Sequence, residues 1–217
     1  MKGTRCRRFP SHSQRSGLDR RGFSLVELIV VVAIIGFLAL VGGNYLSDLY
    51  KKQQLATAAG DIRSFLQDAS TQMQNRNLRI FVRVSQLAGP PARWHFEMIE
   101  DTTNNAAIDS YGGVGVRAAG KDTLLRVYDA QPPISLSGTS VSQINSTFWS
   151  VNSADTAARS IGIDFLKRAF NPASGTQIGG VAVLSVSHAD VVSGRMTPPI
   201  VYQVRVNPVW DVAVRKG

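Results

Sequence analysis

Phe-Ser-Leu-Val-Glu-Leu-Ile-Val-Val-Val-Ala-Ile-Ile-Gly-Phe-Leu-Ala-Leu-Val, residues 23–41, is a run of 19 residues with a single charge, Glu27. Wound as an α-helix at about 1.5 Å per residue, it extends roughly 28 Å, close to the thickness of a bilayer's hydrocarbon layer. A secretory signal peptide has a shorter apolar region, about 7–15 residues, and then a small-residue cleavage site. No clean Ala-x-Ala closes this run. A carboxylate inside a spanning helix costs on the order of 2.5–3.5 kcal/mol. Glu27 must therefore reach the headgroups from near the helix end, or find a partner.

The chain around this run has 217 residues, with 24 Lys plus Arg against 15 Asp plus Glu. Residues 1–22 carry seven basic residues (Lys2, Arg5, Arg7, Arg8, Arg15, Arg20 and Arg21) and one acid, Asp19, so they hold +6 of the net +9. A cationic arm beside an apolar run reads as a topogenic signal, since such flanks stay on the cytoplasmic side of a membrane. Only +3 is left for the remainder, which weakens the case for a nucleic-acid protein. The 44% apolar and 18% charged composition excludes wholesale disorder and supplies a real core. Cys6, in the basic arm, is the only cysteine, so the rest of the chain can form no internal disulfide and no thiolate metal site.

The junction Arg20-Arg21-Gly22-Phe23-Ser24-Leu25-Val26-Glu27, with a basic leader before it and an uninterrupted apolar run after it, resembles the class III signal of type IV prepilins and type II secretion pseudopilins. The resemblance implies cleavage by a prepilin peptidase between Gly22 and Phe23, N-methylation of Phe23, and a glutamate, Glu27, that pairs with the N-terminal amine of a neighbouring subunit. An amine and a carboxylate that are each costly in apolar surroundings become tolerable together, so the pair can set the axial register between helices. The implied partners are the peptidase, other pilin or pseudopilin subunits, and an inner-membrane assembly platform driven by a separate cytoplasmic ATPase. The implied location is a single inner-membrane pass with the leader in the cytoplasm and the globular domain outside it, then a periplasmic or cell-surface filament.

After the span, apolar residues recur at Leu55, Ala58, Ala59, Ile62, Phe65, Leu66, Ala69 and Met73, with Lys51, Lys52, Asp61, Arg63, Gln67, Asp68 and Gln72 between them. Gaps of three and four mark one apolar face of an amphipathic helix. A helix unbroken from Phe23 to about Gln74 would extend roughly 78 Å, which is the pilin plan. Gly42 and Gly43 lie just past the apolar run. Each glycine costs about 1 kcal/mol relative to alanine in a helix interior, so the pair marks either a point of local melting or one of close helix packing.

Beyond Asn77 the period changes to alternation. Strands are expected at 79–85, 93–99, 123–128, 148–151, 160–165, 180–188, 200–206 and 209–214, separated by Gly, Pro and Asn clusters such as Gly89-Pro90-Pro91 and Asn207-Pro208. The expected fold is α+β: a long N-terminal helix packed on an antiparallel β-rich domain. Its divisions are a leader at 1–22, a membrane and assembly half-helix at 23–49, an amphipathic half-helix at 50–77 and a β-rich domain at 78–217. The stretch from Ile161 to Phe165, then Phe170-Asn171-Pro172-Ala173-Ser174-Gly175 and Gly179-Gly180 before an apolar strand, resembles the pattern of GspH and FimT minor pilins and pseudopilins. It departs from that pattern by one extra residue between Pro172 and Gly175, and by Asn207-Pro208-Val209-Trp210 in place of a glycine-containing turn.

No phosphate-binding Gly-x-x-x-x-Gly-Lys-Ser/Thr loop is present, and no cofactor is expected. His95 and His188 are the only histidines past the leader. No nucleophile elbow or metal-spaced cluster accompanies them, so an enzyme is not expected and both read as packing or surface residues. Trp94, Trp149 and Trp210 read as core or sheet-edge aromatics. Some FimT-class proteins take up DNA through C-terminal arginines, and that resemblance makes Arg195, Arg205, Arg215 and Lys216 candidate phosphate contacts. The class's Gly-Arg-x-Arg tail is missing, because Gly194-Arg195 is followed by Met196-Thr197. The structural subunit is the first reading. A DNA-binding minor pilin and a single-pass tethered protein of other function are the alternatives.

Overall fold

Helix α1 (Leu25–Arg76) opens with reciprocal capping hydrogen bonds. The Ser24 amide donates to Glu27 Oε2 at 2.9 Å, and the Glu27 amide donates to Ser24 Oγ at 3.2 Å. This is a capping box, which satisfies two backbone donors that a helix start otherwise leaves bare. The helix ends where Asn77 turns left-handed, with φ 53° and its amide on the Met73 carbonyl at 2.9 Å. Asparagine is one of the few residues other than glycine that enters that region cheaply. The computed structural model describes residues 24–87, 93–130, 133–136, 144, 149–152, 155–193 and 199–217. It divides into two units at Leu46 and Ser47. Gly42 and Gly43 are helical.

In the first unit, the apolar window of α1 has a mean hydropathy of 2.9 and none of it is buried. Among the described residues α1 is the one helix long and apolar enough to cross a membrane. In the second unit, every apolar position of the expected stripe, from Leu55 to Met73, is buried. The period of 3.6 thus marked the packing face, and each fully buried Leu, Ile or Phe there contributes about 1.5–3 kcal/mol.

Among its described residues the second unit holds ten strands: β1 (Ile80–Leu87), β2 (Arg93–Glu100), β3 (Thr123–Ala130), β4 (Ile134–Leu136), β5 (Ser150–Asn152), β6 (Asp155–Ile163), β7 (Ala169–Phe170), β8 (Ala182–His188), β9 (Val201–Val206) and β10 (Val212–Lys216). A short helix α2 (Ala189–Val192) follows β8. All the strand pairs are antiparallel. One sheet runs β3-β2-β1-β6-β5, with β7 also on β6, and the other runs β10-β9-β8-β4. Alternate residues of both sheets, among them Val82, Val84, Phe96, Met98, Ile161, Leu184 and Val204, join the helix stripe in one core. The aromatic trio Phe65, Phe96 and Tyr128 spans helix and sheet with ring centroids 5.8–6.1 Å apart. Trp94, Trp149 and Trp210 are all buried.

Most strand limits lie within two residues of the sequence expectation; β6 begins earlier than the expected 160, at Asp155, and two other limits move for local reasons. The expected strand at 209–214 starts late, at Val212, because 207–210 form the β9–β10 turn, with the Trp210 amide on the Asn207 carbonyl at 2.8 Å. The expected strand at 160–165 stops at Ile163 because Asp164 organises a turn, accepting from the amides of Leu166 and Arg168. Phe148 lies outside the described residues.

The outer face of the larger sheet carries a second small core of Phe81, Ile99, Leu124 and Phe170, covered by Ala106, Ile108, Tyr111 and Val127 of the 101–122 segment and β3. The segment is pinned by its acids. Asp101 accepts from the amides of Asn105 and Ala106, and Asp122 from those of Thr102 and Asp109. Burial, together with the charges of Asp101 and Asp109, pushes the Asp122 carboxyl above its ordinary pKa, against the pull of backbone amides, that of Asp109 foremost.

Candidate functional site

The site expected at the start of α1 is described from Ser24 onward, and Gly22 and Phe23 lie outside the described residues. Glu27 is exposed and sits in the first helical turn, where the positive end of the helix macrodipole favours a carboxylate. Its carboxylate is held by its own chain through the Ser24 amide. The sequence reading weighed headgroups and a neighbour's amine for this residue and missed the local role. The signal was available: Ser-x-x-Glu directly before an apolar run is the capping-box pattern. Only Oε2 is used by the Ser24 amide, so the cap and an amine at Oε1 are compatible. From Leu25 to Leu40 the large apolar side chains are exposed by about half or more, Val31 least at 47% and Leu25 and Leu40 most at 74%. Such a continuous unpartnered surface requires lipid or other helices.

The candidate phosphate contacts divide. Arg205 stands opposite Ala213, and Arg215 opposite Gln203. Because Val204, Val206 and Val212 face the core, Arg205 and Arg215 share the outer face of the four-stranded sheet as diagonal neighbours, about 7–8 Å apart in an antiparallel pair. Lys216 is opposite Tyr202, on the other face by alternation, and Arg195 lies outside the described residues. The structure brings two of the four together.

His188 caps α2: its Nδ1 accepts from the Asp190 amide at 3.1 Å, and Asp190 pairs with Lys51 Nζ at 2.7 Å. Burial lowers the His188 pKa, with Asp190 opposing and Lys51 reinforcing. His95 lies between Asp129 Oδ1, 2.6 Å from its Nδ1, and Glu97 Oε1, 3.6 Å from its Nε2. Glu97 also pairs with Arg83, and Tyr111 Oη donates to Glu97 at 2.9 Å. The Tyr111 phenol is pushed up to about 12 by burial and by Glu97, with Arg83 opposing. These groups tie the 101–122 segment to β1, β2 and β3. No group of three potential metal ligands occurs among the described residues.

Residues 18–43 match the family model for the prokaryotic N-terminal methylation motif, a prepilin signal of the type IV pilin kind. The match covers the leader junction and the apolar run. Comparisons with curated proteins and with solved structures gave no match.

Proposed function

We propose that this chain is a structural subunit, cut between Gly22 and Phe23 by a prepilin peptidase, N-methylated at Phe23 and assembled through α1 into a type IV pilus or a type II secretion pseudopilus. The observation that carries this reading is an unburied apolar helix headed by a capped glutamate inside a methylation motif. In the membrane α1 anchors the subunit. In the filament it exchanges lipid for neighbouring helices, and Glu27 Oε1 meets a neighbour's terminal amine. A helix stripe covered by a β-rich body supports a pilin-like plan, and the Phe170–Gly175 turn supports a GspH- or FimT-like subtype.

Two substitutions separate the cap from the charge. Glu27→Gln keeps the capping geometry, since glutamine serves at the third helical position, but it removes the anion, whereas Glu27→Ala removes both. Pull-down of filaments from cells should find both variants inserted and both poorly incorporated. Normal incorporation of Glu27→Gln would eliminate the register role and leave only the cap.

A second reading rests on the outer face of the four-stranded sheet, where Arg205 and Arg215 stand beside Gln203, Ser185 and Val183 with no acid among them. Phosphate contacts there are sequence-independent and weaken with salt. Mobility shift of duplex DNA by the detergent-solubilised chain should then be lost in Arg205→Ala/Arg215→Ala. An absence of shift at low salt ends this reading.

A further inference from the structure

Just past Leu49, one wall of α1 faces the end of β3 and the start of β4 across a cavity of about 530 Å³. Tyr50, Gln53, Gln54, Thr57 and Asp61 line the helical side, and Tyr128, Pro133 and Ile134 line the other. Small-molecule sites are about 300–1,000 Å³, so the space suits a compact ligand.

The lining chemistry narrows the ligand class. No Lys or Arg is among the described lining residues, so none of them offers the partner an anion needs. The carboxylate of Asp129, another lining residue, is held by His95 Nδ1 at 2.6 Å, and Asp61 stands close enough to the Tyr128 hydroxyl to raise its pKa. Each carboxylate keeps further acceptor sites for a ligand's hydroxyls. Burial first, then Asp61, raises the Tyr128 phenol to about 12, so it stays a neutral donor at physiological pH. Two phenol rings offer apolar faces, and two amides, a hydroxyl and a carboxylate offer donors and acceptors along one helix face. A ring with an apolar C–H face and a belt of hydroxyls satisfies both sets at once.

We propose that this cavity is a binding site for a neutral glycan of one or two sugar rings, stacked against Tyr50 and hydrogen-bonded through its hydroxyls to Gln53, Gln54, Thr57 and Asp61. The site lies wholly within the second unit, so it stands whether or not the chain assembles into a filament.

The test uses the full chain in detergent micelles, screened against an array of neutral mono- and oligosaccharides and then titrated calorimetrically with the best of them. Spermidine is the organic-cation control. Tyr50, Gln53 and Asp61 are exposed, so their substitution leaves the core intact. Tyr50→Ala should weaken binding by about tenfold or more, and Gln53→Ala by a few fold, the scale of one lost stacking or hydrogen-bonding group. Asp61→Asn keeps an acceptor oxygen and should hold affinity within about threefold. The proposal is overturned if no neutral saccharide binds at millimolar concentration. It is overturned equally if Tyr50→Ala and Gln53→Ala both bind like the parent, or if spermidine binds instead and Asp61→Asn abolishes that binding.

Discussion

Gly162 is the residue on which the outer sheet face turns. It lies in the cross-strand row Leu124, Ile99, Phe81, Gly162, Phe170, and a Cβ there would sit 2.4 Å from Phe170 Cζ. The glycine lets the Phe170 ring lie across β6 and meet Phe81 edge-on at 5.8 Å. Gly162→Ala should destabilise the protein by about 1–3 kcal/mol, the usual cost of overpacking a filled core. Denaturant titration of the detergent-solubilised chain reads this directly. Adding Phe170→Leu should recover part of the loss, because the two sites share one space; a purely additive pair would show that the clash is relieved elsewhere.

At the scale of elements, legibility followed length. The α1 stripe spans five turns of regular spacing, so its buried face could be read from Leu55 to Met73. The longer strands were visible as alternation and as β-branched runs. β4 and β7, of three and two residues, are too short to show any period. The four-residue α2 depends on the His188 cap, and not on propensity. The Phe170–Gly175 signature was legible only as a family mark; its physical content is a turn, with Asn171 accepting from Ser174 and Gly175 and with Gly175 at φ +68°. Sheet order and the cavity beside Tyr50 join residues far apart in sequence, so no local pattern carries them. The β9–β10 turn puts Trp210 at φ 51°, a region costly for a large side chain. The missing glycine noted there in the sequence is offset by burial of the indole and by its hydrogen bond to the Leu66 carbonyl at 2.9 Å.

Over the second unit, polar ties fasten the sheets to the helix from several sides. Lys51 meets Asp190, Asp68 meets Arg126, Arg76 meets the buried Glu100, and Arg63 Nε donates to the Val212 carbonyl. The Lys51–Asp190–His188 chain makes one of these ties sensitive to pH. His188 is held below its ordinary pKa, so the unfolded chain takes up its proton first and stability falls as pH drops below about 6.5. Asp122, held above its ordinary value, acts in the opposite sense in the carboxylate range. Comparing melting midpoints at pH 5 and pH 7.5 with those of His188→Asn isolates the histidine, because asparagine caps a helix without titrating. The variant should lose less stability on acidification than the parent; an equal loss would assign the effect to other groups. The bond from Trp210 to Leu66 spans 144 positions. A ribosome therefore delivers the greasy flank of α1 long before the turn that shields it, and nascent molecules need protection from one another until the β9–β10 turn emerges.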